Sequence, residues 1–185
     1  QKKYKVTPDL TTLGKAMANG MPLSALVGKK SIMRLNEEIF FSGTFSGETL
    51  SLAASIATIR KLRNEEIVEK LITLGSRIRE NVQEIISLNN LDEIMCLEGP
   101  DWRPFFHYKN SEYDKNILTH ILRKEFISHG ILFGSAFNMS FPHTEKKTFD
   151  SILRRIQLIF KSFKKDLNSG ERKLLLTKKK SISSF

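Results

Sequence analysis

Lysine is the side chain best suited to bind a carbonyl carbon covalently through nitrogen, and one lysine of this sequence stands where that chemistry is possible. In TPDLTTLGKAMANGMPLSALVG, residues 7–28, Lys15 lies between a polar, strand-like run and a loop carrying Gly20. An attacking amine must be unprotonated, and partial desolvation lowers the lysine pKa toward neutrality. Leu13 and Met17 flank Lys15, while Gly14 and Gly20 let the backbone approach a bound ligand closely. By type and spacing alone the stronger reading of Lys15 is one solvated charge among 30 Lys and Arg.

Thr44 is the second candidate. It lies in FFSGTFSGETLSLAASIA, just before a helix start, where a hydroxyl and free backbone N–H groups can hold a phosphate. By local pattern alone a turn or capping threonine is the stronger reading. His107, His120, His129 and His143 lack metal-ligand spacing, so they read as surface or packing residues and no metal site is expected. Trp102, Phe105, Phe106 and Tyr108 cluster in a strand-like stretch and are expected in the core. Arg103 could meet a carboxylate, as could Arg34 and Arg60, and none of them is singled out.

These residues need elements to hold them. GETLSLAASIATIRKL reads as a buried helix whose small residues allow close packing. From Asn64, apolar residues recur at Ile67, Leu71, Leu74, Ile78, Val82 and Ile85, which predicts a long amphipathic helix capped by Asn64. DEIMCLEG and WRPFFHY read as strands. A helix over about 113–128 follows, with Ile117, Ile121 and Leu122 inward and Gly130 just past its end. ILFG and NMSF read as a second strand pair, and Thr144 as the cap of a last helix carrying Phe149, Ile152, Leu153, Ile156, Phe160 and Phe163. The order ββαββα predicts a compact α/β or α+β unit. Three parts are expected: residues 1–62, loop-rich; 63–165, the linking helix and a small domain; and 166–185, a basic, mobile tail.

Composition sets the broad class. The 185 residues are 40% hydrophobic and 27% charged, ordinary for a globular chain. The one cysteine, Cys96, excludes an intrachain disulfide and fits a reducing compartment, so the cytoplasm is expected. No apolar run reaches the roughly 20 residues of a membrane span. The net charge is +10, but residues 161–185 hold eight Lys/Arg against Asp166 and Glu171, more than half of that excess. The body is only mildly basic, so neither a nucleic acid nor a membrane is expected as partner.

A resemblance adds what spacing does not. VTPDLTTLGKAMANGMPLSALVGKKSIM resembles the segment around the cofactor-binding lysine of class III pyridoxal-phosphate aminotransferases. It is most similar to their glutamate-1-semialdehyde aminomutase branch, with Pro8, Asp9, Leu10, Leu13, Gly14, Lys15, Gly20, Pro22 and Gly28 falling on the pattern without a gap. FFSGTFSGETLSLAASIA resembles the family's phosphate-contact stretch, with Glu48 and Thr49 where the family usually has Asn-Pro. HGILFGSAFNMSFPHTEKKTFDSILRRI resembles its last strands and helix, with Asn138 where the aminomutase has a glutamate near the substrate.

What the resemblance implies is a fold-type I α/β transferase, of which this chain is the C-terminal half: the end of the large domain and the small domain. It implies pyridoxal 5'-phosphate bound as an aldimine of Lys15, which also shuttles a proton, and a homodimer in which Thr44 reaches the neighbouring subunit's cofactor phosphate. The acid, the stacking aromatic and the phosphate cup that the cofactor also needs are expected before residue 1, leaving this chain inactive alone. Two other readings stay open. One is amination of a keto sugar or other metabolite, which Asn138 permits; the other is a non-catalytic basic interaction domain.

Overall fold

The structure is a computed structural model that describes residues 1, 3–109 and 113–169. The chain divides into two compact units, Gln1–Ile67 and Val68–Phe185.

The first unit begins with an antiparallel hairpin. β1 (Leu10–Leu13) pairs with β2 (Ala25–Gly28), Leu10 opposite Gly28 and Leu13 opposite Ala25. Gly28 is required by space, because a Cβ there would stand 2.4 Å from the Asp9 carbonyl oxygen. Asp9 also accepts the Lys29 amide at 3.0 Å and pairs with the Lys29 ammonium, closing the mouth of the hairpin. A short helix α1 (Lys30–Met33) and a 3-10 turn (Arg34–Glu37) follow, then α2 (Thr49–Asn64).

α2 forms where its sequence predicts a helix but is not buried by this chain. Only Ser51 and Ser55 are inaccessible, while Leu50, Leu52, Ile56 and Ile59 are 40 to 62% exposed. Asn64, expected to cap the next helix, is instead the last residue of α2. Glu65 continues that helix's hydrogen bonding to Lys61, Glu66 turns the chain at φ 50°, and α3 (Ile67–Leu88) starts after it.

The second unit packs α3, α4 (Lys115–Ser128) and α5 (Lys146–Asn168) with an antiparallel ribbon of β3 (Met95–Glu98) and β4 (Phe105–Tyr108). The predicted stripe of α3 is its buried face: Leu74, Ile78, Val82 and Ile85 are in the core and Leu71 packs against it. Asp114 caps α4 by accepting the Asn116 and Ile117 amides, and Gly130 ends it at φ 74°. Period-two alternation sorts the expected aromatic cluster. Phe106 is buried with Phe133, Phe137, Phe160 and Phe126 rings at 5.5 to 6.2 Å, whereas Trp102 and Phe105 are each 38% exposed.

Two expectations fail after α4. The strand pair ILFG and NMSF does not form; residues 131–140 carry one isolated bridge, Ala136 with Phe105. The buried positions here are Phe133, Ala136 and Phe137, a spacing that anchors the segment by its rings and cannot present one face of a ladder. Nor does Thr144 cap α5. It ends a 3-10 turn, Phe141–Thr144, and its hydroxyl donates to the Phe141 carbonyl at 2.7 Å, leaving Glu145 at the cap position. α5 then runs through Asn168 with Leu167 buried, two residues beyond the expected start of the tail at 166. The expected mobility of the rest of the tail lies outside the described residues.

Candidate functional site

The loop that joins β1 to β2 presents Lys15. A 3-10 turn, Lys15–Met17, stands at its head, tied by the Met17 amide to the Gly14 carbonyl at 3.1 Å and by the Asn19 amide to the Lys15 carbonyl at 3.2 Å. Lys15 itself adopts φ 48°, the left-handed region that a β-carbon disfavours by roughly 1–2 kcal/mol. Such strain persists only where surrounding structure enforces it, and it concentrates at functional sites. The enforcing structure is visible: Ala18 is buried, the turn lies against α2, and the buried residues of α2 are the small Ser51 and Ser55. The Lys15 side chain is exposed and makes no hydrogen bond or ion pair among the described residues.

Thr44 opens the turn that leads into α2. The Ser46 amide donates to Gly43 at 2.9 Å, Gly47 turns at φ 74°, and the Glu48 amide donates to Phe45 at 3.2 Å. The Thr44 hydroxyl is exposed and unbonded among the described residues. Glu48, standing where asparagine was expected, caps α2: its carboxylate accepts the Leu50 and Ser51 amides, both at 2.7 Å. The nearby Ser51 hydroxyl and the hydrogen bonds from the Ser51 and Leu50 amides hold its pKa below the usual glutamate value. Two of the first N–H groups of α2, those of Leu50 and Ser51, are therefore already taken.

A glycine precedes each of these two residues. Gly43 has nothing within 4 Å of where a Cβ would stand, and Gly14 has only ordinary contacts at 3.8 Å or more. Neither lies at positive φ. Among the described residues no close contact requires glycine at either place, a property that Gly134 shares.

The histidine candidates are spread through the second unit, and three of the four have structural partners. His107 Nδ1 lies 3.5 Å from Glu98, His129 Nδ1 lies 2.8 Å from the Glu125 carbonyl, and His143 Nδ1 accepts the Ser140 amide at 3.0 Å. Among the described residues no three His, Cys, Asp or Glu gather as a metal site. Asn138 and His143 line a cavity of about 370 Å³ whose walls include Leu74, Phe133, Met139 and Phe149. Glu48 as an α2 cap was missed by sequence reasoning. Glutamate is a poor cap by type, and only its position three residues before the first buried helix residue, Ser51, points to it.

Comparison with known proteins fits this layout. The chain is 44% identical over 132 residues to a glutamate-1-semialdehyde 2,1-aminomutase of Methanobrevibacter smithii, a match covering 66% of this chain and 30% of that protein. It is 34% identical over 113 residues to a 3-aminobutyryl-CoA aminotransferase of Cloacimonas acidaminovorans, covering 60% and 27%. The FumI protein of Sphingopyxis sp. MTA144, solved in its PLP internal aldimine form, superposes with a TM-score of 0.78 at 24% identity, over 91% of this chain and 40% of that one. The fold is thus a mixed α/β part of a fold-type I transferase, and the chain spans well under half the length of these relatives. The family model for class-III aminotransferases matches residues 1–96, just over half of the chain, which therefore belongs to that family.

Proposed function

We infer that this chain serves a pyridoxal-phosphate-dependent aminotransferase or aminomutase, similar to glutamate-1-semialdehyde aminomutase, with Lys15 as the residue that holds the cofactor. The observation that carries the reading is the pairing of an exposed amine and an exposed hydroxyl, Lys15 and Thr44. Each is unbonded among the described residues, and each directly follows a glycine, Gly14 and Gly43. A primary amine and a hydroxyl are the donors that an aldehyde bearing a phosphate needs, so the residues fit the cofactor.

Lys15 Nζ would hold the cofactor at its aldehyde carbon; released by an incoming substrate amine, the same nitrogen takes a proton from the substrate carbon and returns it elsewhere. The left-handed turn sets the backbone from which that side chain extends. Thr44 Oγ1 would donate to a phosphate oxygen, and in a homodimer that phosphate is the neighbouring subunit's. When bound, pyridoxal phosphate supplies the electron-withdrawing ring that makes the substrate proton removable. A cytoplasmic homodimer is part of the same reading, supported by the single cysteine and the family.

One residue bears on a second substrate class. Asn138 is an uncharged amide where the aminomutase pattern has a glutamate, which leaves a keto sugar or another keto metabolite open as substrate. Borohydride reduction of the full-length protein loaded with cofactor, followed by digestion, tests the central assignment. The pyridoxyl label is expected on the Lys15 peptide and absent from Lys15→Ala. Label on another lysine in the unmutated protein would refute it.

A further inference from the structure

α5 carries a charge pattern that the proposed chemistry does not use. Its 23 residues contain seven Lys and Arg against Asp150 and Asp166. One face is the core: Phe149, Ile156, Ile159, Phe160 and Phe163 are all buried. At about 100° per residue, Lys147, Arg154, Leu158, Lys161 and Lys165 lie on the opposite face, in a stripe roughly 60° wide and about 27 Å long. All five are exposed, Leu158 at 56%. Arg155 and Lys164, off the stripe, hold the carbonyls of His129 and Asn90 at 2.8 and 3.1 Å. The four stripe cations hold nothing among the described residues.

Unpaired cations in a row call for a polyanion, and the geometry discriminates among polyanions. A helix entering a duplex groove needs cations on both flanks, where the phosphates run; here they sit on the crest, which would face the bases. Single-stranded nucleic acid is held by exposed aromatic platforms beside the charge, and the stripe has none. A plane, by contrast, is touched by every residue of a straight crest at once, with Leu158 among them to dip below the headgroups.

We propose that the outer face of α5 is a docking surface for an anionic phospholipid membrane, through Lys147, Arg154, Lys161 and Lys165. The contact is peripheral. The apolar face of α5 is committed to the core, and among the described residues no helix is long and apolar enough to cross a membrane. The association is electrostatic, each cation near an anionic surface raising binding about five-fold, and it falls with salt.

The test is sedimentation of the full chain with phosphatidylcholine vesicles, with and without about one-third phosphatidylglycerol, at about 50 and about 500 mM salt. Binding is expected only to the anionic vesicles at low salt. The combined Lys147→Gln, Arg154→Gln, Lys161→Gln and Lys165→Gln variant should bind at least about 30-fold more weakly, with an unchanged circular dichroism spectrum. Two controls remove charge elsewhere. One changes Lys30, Arg34, Arg60 and Arg63 to Gln; the other changes Arg172, Lys173, Lys178, Lys179 and Lys180. Both should retain most of the binding. The proposal is overturned if anionic vesicles are not bound, if the first control loses as much as the stripe variant, if only the second loses binding, or if RNA is retained through the stripe while vesicles are not.

Discussion

At the scale of single residues, Lys15 and Glu48 show backbone and charge doing work that residue type alone does not announce. Lys15 is set in a left-handed turn that glycine would occupy without strain. Lys15→Gly should therefore stabilise the first unit by about 1 kcal/mol, read as a rise in melting temperature, while removing the amine. A fall in melting temperature would mean that the turn is not strained. Glu48 titrates below its usual value because hydrogen bonds from Ser51 and Leu50 favour its charged form. Its folded pKa is depressed, so its contribution to stability is present above the unfolded value near 4.5 and is lost as pH falls through the lower folded value. In an amide-resolved acid titration, the Leu50 and Ser51 signals should move below about pH 4.5 in the unmutated chain and stay flat in Glu48→Gln.

At the scale of elements, packing decides which helices are complete within this chain. α3 carries Gly75 in its interior, where glycine costs a helix about 1 kcal/mol relative to alanine. The reason is a crossing loop: a Cβ at Gly75 would stand 1.4 Å from the Asp101 carbonyl oxygen. Arg79, one turn on, binds that loop through the Gly99 carbonyl and the Asp101 carboxylate. Gly75→Ala, favourable by propensity, is expected to destabilise the second unit by about 1–3 kcal/mol in denaturant melts; a neutral or stabilising result would show that the loop is free to move away. α5 gives the companion case. Ending the chain after Asp166 removes Leu167, which is 4% exposed, and should lower stability by about 2–5 kcal/mol. Ending it after Ser169 should leave the melting temperature unchanged.

For the molecule as a whole, the two units differ in how far they are finished. The second has a core of phenylalanines and aliphatics drawn from three helices and a ribbon. The first leaves Leu50, Ile56, Phe40 and Phe41 exposed, and the chain spans under half of each relative described above. Catalysis by the 185 residues alone is accordingly expected to fail. Incubated with pyridoxal phosphate and an amine donor, the chain should turn over no faster than Lys15→Ala. Transamination well above that control would show that Lys15 and Thr44 suffice with what this chain holds.

Sequence by itself determined the helices of the second unit, because a stripe such as Leu74, Ile78, Val82 and Ile85 has one burial solution wherever its partners come from. It pointed to Lys15 only through the resemblance of the run from Pro8 to Gly28, while the hairpin that presents Lys15, with Gly28 at its crowded mouth, was seen only in the structure. Tertiary structure alone decided the rest. The segment 131–140 does not keep the alternation of a half-buried strand, because the neighbours Ala136 and Phe137 are both in the core. Thr144 spends its hydroxyl on the turn before α5, so the cap passes to Glu145. α2, apolar enough to read as buried, stays exposed because burial is a property of the surfaces that meet a helix, and a sequence window contains only one of them.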